Sequence, residues 1–344
     1  MNHRINVLST MAFPDDFLEK LRTVSPSLQV TQHTAATADE VPDDRWRTVD
    51  ILYTGACFPA PDRAPCLRWV QLDTSGVDHI RTTPLWATDV AVTTLNGVAP
   101  SNMAEFALMM MLNLARRSRL MDHHQRARYW PTPSERWDWF MPSELRGATV
   151  GVVGYGSIGR EVARVCHALG MRVLAMRRSG TPQSGGRARE TFRIADLEHS
   201  LDPEPDRTYT PDQLGEMLPE CDYVVLIVPH TAATTNMIDE AAFRAMKPSA
   251  VLINIARGGV VDEAAMIRAL QEGRIAGAAL DVFEQEPLPA DNPLWGMDNV
   301  IISPHVAGYT PHYHDRVFGV FSQNLTRFLA GDPLLNLADR EHGY

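Results

Sequence analysis

From residue 1 to about 100 the apolar positions fall into short β-branched runs, RINVLST, SLQVTQ, VDILYTG, LRWVQLDTSG and VAVTTLNG, separated by polar or helix-patterned stretches. Runs of that length between longer segments predict parallel strands joined by helical crossovers. The rhythm then changes. Residues 101–127, SNMAEFALMMMLNLARRSRLMDHHQRA, read as one long helix with Ser101 as its N-cap and Glu105 in its early turns. Met109, Met110 and Met111 make it apolar on nearly every face, which predicts burial between domains or between subunits. A loop rich in Trp and Pro, YWPTPSERWDWFMP, leads into six further strand candidates: ATVGVVG, MRVLAM, YVVLIV, AVLINI, IAGAALDV and NVIIS. With helices between them they predict a doubly wound parallel sheet. Residues 181–211 break the alternation with Gly, Pro and charge and read as an exposed insertion, more surface elaboration than working part. A last helical run lies near 311–330.

Composition narrows the picture. A chain of 344 residues fits two domains at about 150 residues each. The formal charge is 32 − 42 = −10, and no Lys/Arg-rich run stands out, so neither nucleic acid nor an anionic membrane surface is an expected partner. The N-terminus, MNHRINVLST, lacks a signal-peptide core, and no stretch approaches ~18 uninterrupted apolar residues, which predicts a soluble, cytoplasmic protein. Cys57, Cys66, Cys166 and Cys221 form no CxxC pair and read as reduced, mostly buried thiols rather than a zinc knuckle or disulfide framework; no metal site is expected.

Two stretches carry chemistry. GVVGYGSIGRE, residues 151–161, follows a strand and opens a helix, the context that a G-x-G-x-x-G at Gly154, Gly156 and Gly159 needs to bind a dinucleotide. Gly154 permits the tight turn, Gly156 lets backbone N–H groups approach a pyrophosphate, and Gly159 allows close helix–strand packing. The next strand ends MRRSG where a carboxylate would bind the ribose hydroxyls of NAD. Arg177, Arg178 and Ser179 instead suit a 2′-phosphate, so NADP(H) is favoured, with NAD(H) as the alternative.

The second constellation comprises NIARGG with Arg257, DVFEQEP with Glu286 and ISPHVAG with His305, each at the carboxyl end of a strand, where ligands bind in open α/β sheets. Arg257 can bind a substrate carboxylate and polarise its carbonyl, His305 can donate a proton to the carbonyl oxygen, and Glu286 can favour the protonated imidazole. The glycines after Arg257 would let the chain leave without crowding the cofactor. Glu284 competes with Glu286, and His312 and His314 compete with His305.

The order TSGVD (74–78), ELRGATVGVVGYGSIG (144–159), VPHTAATTNMID (228–239), NIARGGVVDE (254–263), GAALDVFEQEP (277–287) and SPHVAG (303–308) resembles the D-isomer-specific 2-hydroxyacid dehydrogenase family over nearly the whole chain. The resemblance implies that Arg257, Glu286 and His305 are the catalytic trio, selecting Glu286 over Glu284, and that Ser75, Gly76 and Val77 offer backbone N–H groups to a substrate carboxylate. It implies two Rossmann-like α/β domains with an active-site cleft between them. Residues 1–100 and 307–344 would form a flavodoxin-like substrate domain, and 101–306 the NAD(P) domain. Cofactor contacts are expected from Tyr155, Ser157, Ile158, Pro229, Ala256, Asp281 and Gly308 beside the glycine loop. The expected activity is an NADP(H)-preferring interconversion of a small 2-oxo acid and a D-2-hydroxy acid. Formate or phosphite oxidation and a corepressor-like nucleotide sensor are the rival activities, and Glu286 speaks against the formate enzyme. Phe58, Tyr309, Trp137 and Trp139 are candidates for the side-chain pocket. A homodimer through the helix at 101–127 is expected, with Trp139 reaching the partner's active site by resemblance.

Overall fold

The computed structural model describes residues 4–178, 190–194 and 204–343, which form two compact units. The first unit holds the described residues up to Val98, the short piece 190–194, and the chain from Thr310 onward. The second holds Ala99 to Arg178 and Glu204 to Tyr309.

In the first unit, β1 (Ile5–Ser9), α1 (Asp15–Thr23), β2 (Leu28–Gln32), the single-turn α2 (Asp43–Trp46), β3 (Ile51–Thr54), β4 (Trp69–Leu72) and β5 (Ala91–Thr93) follow the five predicted strand runs. All strand pairs are parallel in the order β2-β1-β3-β4-β5, the flavodoxin-like order. β3 and β4 are buried at every position, so they carry mostly apolar residues on both faces rather than alternating ones, and the buried Gln71 of β4 accepts the Thr93 hydroxyl at 2.8 Å.

The second unit opens with α3 (Pro100–Ala115), α4 (Ser118–Ala127) and α5 (Pro133–Phe140). The single helix expected over 101–127 is thus two. Arg117 takes a left-handed φ of 52° and breaks it, and Ser101 lies inside α3, whose N-cap is Ala99. Ala104, Ala107, Met110 and Met111 are buried against the sheet of their own unit, while Met109 and Leu112 are exposed. The methionine run is therefore part of a core on one side only.

The sheet contains β6 (Thr149–Val153), β7 (Arg172–Met176), β8 (Arg207–Tyr209), β9 (Tyr223–Leu226), β10 (Val251–Asn254), β11 (Gly277–Leu280) and β12 (Val300–Ile302). The helices α6 (Ser157–Ala168), α7 (Leu214–Met217), α8 (Glu240–Ala245) and α9 (Glu263–Gln271) are interspersed along this stretch. The order β12-β11-β10-β9-β6-β7-β8 is all parallel and reverses beside β6, the switch point of a Rossmann sheet. Six of the strands match the six runs. The seventh, β8, lies inside the stretch read as insertion: three residues long and polar at Arg207 and Thr208, it gives almost no periodic signal.

Within that stretch only 190–194 and 204–211 are described. The piece 190–194 is not surface elaboration. Phe192 is buried in the core of the first unit with Val317, Val320 and Phe321, and its N–H donates to the Asn336 side chain at 2.9 Å. Asn336 returns a backbone bond to the Glu190 carbonyl, and Glu190 pairs with Arg327 at 2.5 Å. Gly97 must lack a side chain because a Cβ there would lie 2.1 Å from the Phe192 carbonyl oxygen. The closing helix α10 (Tyr313–Ala330) belongs to this same core.

Candidate active site

The glycine loop has the geometry of a phosphate cradle. Gly154 sits at φ 107°, and a Cβ there would meet the Ile227 carbonyl carbon at 2.9 Å. A Cβ on Gly159 would lie 2.2 Å from the Gly154 carbonyl oxygen, so that glycine permits α6 to close on the turn. Gly156 faces open space, with nothing within 4 Å of a built Cβ, at the N-cap of the 12-residue α6. An open approach to backbone N–H groups at a helix N-terminus fits a dinucleotide pyrophosphate. Tyr155 and Ile158 are half-buried and pack on the core below, and Ser157 begins the helix.

Of the residues beyond β7, Arg178 is exposed and Ser179 lies outside the described residues. The Arg177 side chain is 19% exposed and stands 4.0 Å from the Glu204 carboxylate. Its buried Nε has no hydrogen-bond partner among the described residues. An unpartnered buried guanidinium nitrogen beside the second strand fits an anionic group there.

Three adjacent strands, β10, β11 and β12, bring Arg257, Glu286 and His305 to one end of the sheet. His305 Nδ1 and Glu286 Oε2 are 2.8 Å apart. The other carboxylate oxygen of Glu286 accepts the Phe283 N–H at 3.0 Å, which fixes the carboxylate's orientation. Glu284 turns away: its carboxylate accepts the Glu263 N–H at 3.3 Å, and its own N–H donates to Glu263. His312 and His314 lie in the first unit, at and within the start of α10.

Asn254 steers Arg257. Its amide accepts the Ala256 N–H at 3.0 Å and donates to the Arg257 carbonyl at 3.1 Å. The two glycines that follow serve protein contacts rather than space for a cofactor. A Cβ on Gly258 would lie 2.0 Å from the Phe283 carbonyl oxygen, and one on Gly259 would lie 2.8 Å from the His230 ring. Gly258 thus lets the Arg257 turn lie directly on the Glu286 turn.

His305 occupies a left-handed φ of 56°, a conformation that needs outside support in a non-glycine residue. Asp281 gives much of it. This buried carboxylate accepts the Ser303 hydroxyl at 2.7 Å and the N–H groups of Val306 and Ala307 at 2.9 Å each. Asn102, in the first turn of α3, donates to the carbonyls of Ala307 and Tyr309 at 3.1 and 3.2 Å. Sequence reading marked Asp281 only as a cofactor contact and missed Asn102 and Asn254; a polar Asn inside the apolar run VLINI was the available signal. Pro229 accepts the Thr234 hydroxyl at 2.6 Å, Ala256 is buried, and a Cβ on Gly308 would meet nothing within 4 Å.

In the first unit β4 ends at Leu72 and the chain turns through Ser75, Gly76 and Val77, whose N–H groups make no hydrogen bond among the described residues. Three consecutive backbone donors are thus left open to an outside acceptor. Of the pocket candidates, Phe58 packs on the His79 ring at 5.5 Å between centroids, whereas Trp137 and Tyr309 are exposed and Trp139 marginally so. Among the described residues no helix is long and apolar enough to cross a membrane, and no group of three or more His, Cys, Asp or Glu side chains could hold a metal ion.

Comparison with known proteins identifies the family. The profile of the D-isomer specific 2-hydroxyacid dehydrogenase NAD binding domain matches residues 108–307. A glyoxylate reductase of Thermococcus kodakarensis is 33% identical over 344 residues, 98% of this chain and 97% of that protein. The crystal structure of a D-isomer specific 2-hydroxyacid dehydrogenase from Xanthobacter autotrophicus, in complex with NADPH and MES, superposes with a TM-score of 0.80 at 29% identity over 99% of this chain and all of that one. The NADPH-dependent glyoxylate/hydroxypyruvate reductase of Sinorhizobium meliloti, in complex with NADP and sulfate, gives 0.77 at 26% identity, with 99% and 100% coverage. The chain belongs to the D-isomer-specific 2-hydroxyacid dehydrogenase family and is an NAD(P)-dependent oxidoreductase.

Proposed function

We propose that the protein reduces small 2-oxo acids to D-2-hydroxy acids with a preference for NADPH. The observation that carries this reading is the 2.8 Å His305–Glu286 pair beside Arg257 at the ends of three adjacent strands. When bound, the reduced cofactor supplies a hydride to the substrate carbonyl carbon. Because Nδ1 of His305 faces Glu286, its Nε2 is left to give the carbonyl oxygen a proton. Glu286 holds the ring's orientation. Arg257 draws electron density onto the carbonyl oxygen and binds the carboxylate with a forked guanidinium. Ser75, Gly76 and Val77 offer their free N–H groups to a carboxylate.

Gly154, Gly156 and Gly159 would hold the pyrophosphate, and Arg177 with Arg178 the 2′-phosphate. The unpartnered Arg177 Nε supports the second assignment, and the NADPH and NADP in the two crystal structures agree with it. Glyoxylate and hydroxypyruvate are the first substrates to test, given the reductases similar to this chain.

NADPH oxidation measured across 2-oxo acids of rising side-chain size tests the reading. His305→Ala should lower kcat by roughly 10²–10⁴-fold while NADPH affinity stays nearly unchanged. Absence of turnover with every 2-oxo acid, or a His305→Ala enzyme of full activity, would overturn it. Equal kcat/KM with NADH and NADPH would remove the cofactor preference alone.

A further inference from the structure

The root of the turn Ser75–Val77 is held by a buried cluster to which no role has been given above. Asp73, the residue after β4, is half-buried, and its Oδ1 accepts two tyrosine hydroxyls. Tyr53 of β3, fully buried, donates at 2.6 Å, and Tyr313, the first residue of α10, donates from the other side. The Asp73 N–H is bonded to the Thr54 carbonyl at 2.9 Å. Next in the chain, the Thr74 carbonyl accepts the Leu95 N–H at 2.9 Å, and the Thr74 hydroxyl donates to the Gly76 carbonyl at 2.7 Å. Residues 73 and 74 are therefore tied to β3, α10 and the segment after β5, and the three unpaired N–H groups begin at the very next residue.

A carboxylate is a poor choice if the cluster only stabilises the fold. Burial costs an ionised group more than it costs an apolar residue of similar volume, and polar burial of this kind is retained where it fixes a geometry. Here it fixes a sharp turn. Burial holds the Asp73 carboxyl above its ordinary range, an effect that the Tyr313 and Tyr53 hydroxyls and the His314 charge partly oppose.

We propose that Asp73, clamped by Tyr53 and Tyr313, is a positioning residue that sets the Ser75–Val77 N–H groups in the arrangement that binds the substrate carboxylate. The inference rests on the reading of that turn as a carboxylate site. It predicts that the cluster acts on substrate binding and not on the chemical step, since its bonds hold the backbone that leads into the turn.

The test is steady-state kinetics of Asp73→Ala, Asp73→Asn and Tyr313→Phe with glyoxylate and NADPH, together with thermal melts. Asp73→Ala should raise KM for glyoxylate on the order of tenfold, the worth of one charge-assisted hydrogen bond, with kcat within about twofold. KM for NADPH should not move. Tyr313→Phe, a mild change, should raise KM for glyoxylate severalfold, and Asp73→Asn, whose amide oxygen still accepts both hydroxyls, should fall between wild type and Asp73→Ala. Unchanged KM for glyoxylate in all three, with lowered melting temperature, would make the cluster merely structural and overturn the proposal. Ser75→Pro and Gly76→Pro each delete one turn N–H and separate the two readings. If they raise KM but the Asp73 and Tyr313 variants do not, the positioning role alone fails; if they too leave KM unchanged, both readings fall.

Discussion

His305 shows how a single residue is prepared for proton transfer. Its left-handed backbone would relax but for the bonds that Asp281 makes to Ser303, Val306 and Ala307, so the ring is aimed by its neighbours before Glu286 touches it. The Glu286 carboxylate faces Nδ1 at 2.8 Å and is itself held by the Phe283 N–H, so it fixes the ring's orientation. Glu286→Ala should therefore lower kcat for reduction by roughly 10-fold or more while KM for NADPH stays unchanged; a fully active Glu286→Ala enzyme would show that Glu286 does not orient His305. A carboxyl whose titration is linked to folding is that of Asp73. Its folded carboxyl is raised, so the folded protein binds a proton there more readily than the unfolded chain. Stability from this group is then greatest at low pH, falls as pH rises from the ordinary carboxylate value through the raised one, and is constant above. Melting temperatures of wild type and Asp73→Asn between about pH 4 and 7 should diverge with that sign, wild type losing ground as pH rises. The thiols give a simpler check at this scale. Burial pushes Cys57 up to about 11 and Cys166 and Cys221 up to about 12, whereas Cys66 is exposed, so native protein should react rapidly with a thiol reagent at one site.

At the scale of elements, the strands were legible because a buried parallel strand is written as a continuous apolar run. YVVL and VLIN needed no further context. β8 was not legible, since a three-residue edge strand with two polar positions leaves no period to detect. The break between α3 and α4 also escaped notice. Arg116 and Arg117 are good helix formers, and only the left-handed turn at Arg117 marks the stop. The site was legible where chemistry fixes residue type, as at Arg257, Glu286 and His305, and illegible where packing does. Gly258 is the instructive case: the sequence suggested clearance for a ligand, and the clearance is for the Phe283 carbonyl. Gly258→Ala should push the Arg257 and Glu286 turns apart, costing roughly 1–3 kcal/mol of stability and most of kcat. Urea denaturation and turnover of that variant check both halves, and a fully active Gly258→Ala enzyme would remove the argument.

For the molecule as a whole, the open question is what covers the surface between α3 and the end of α5. Of the thirteen large apolar side chains that are exposed among the described residues, eight lie between Met109 and Met141: Met109, Leu112, Met121, Tyr129, Trp130, Trp137, Trp139 and Met141. Scattered exposed apolar residues need no explanation, but a concentration in one tenth of the chain does. Trp130 and Trp137 add little to their own unit, since they are 83% and 72% exposed. Aromatic, methionine and arginine side chains are the ones enriched at protein interfaces, and the exposed Arg116, Arg117, Arg119, Arg126 and Arg128 stand among these apolar residues. A second copy of this chain is the expected occupant, which turns the half-buried methionine run of α3 into a subunit contact on its outer side. The sequence had pointed to burial of this helix between domains or between subunits; the structure divides its apolar residues between a core and an exposed strip. Sedimentation at micromolar concentration should give a dimer, and Trp137→Glu combined with Met121→Lys should give a folded monomer, because buried unpaired charges are costly at an interface centre. Wild-type protein that sediments as a monomer, or a double variant that remains dimeric, would mean that this strip is not the subunit interface.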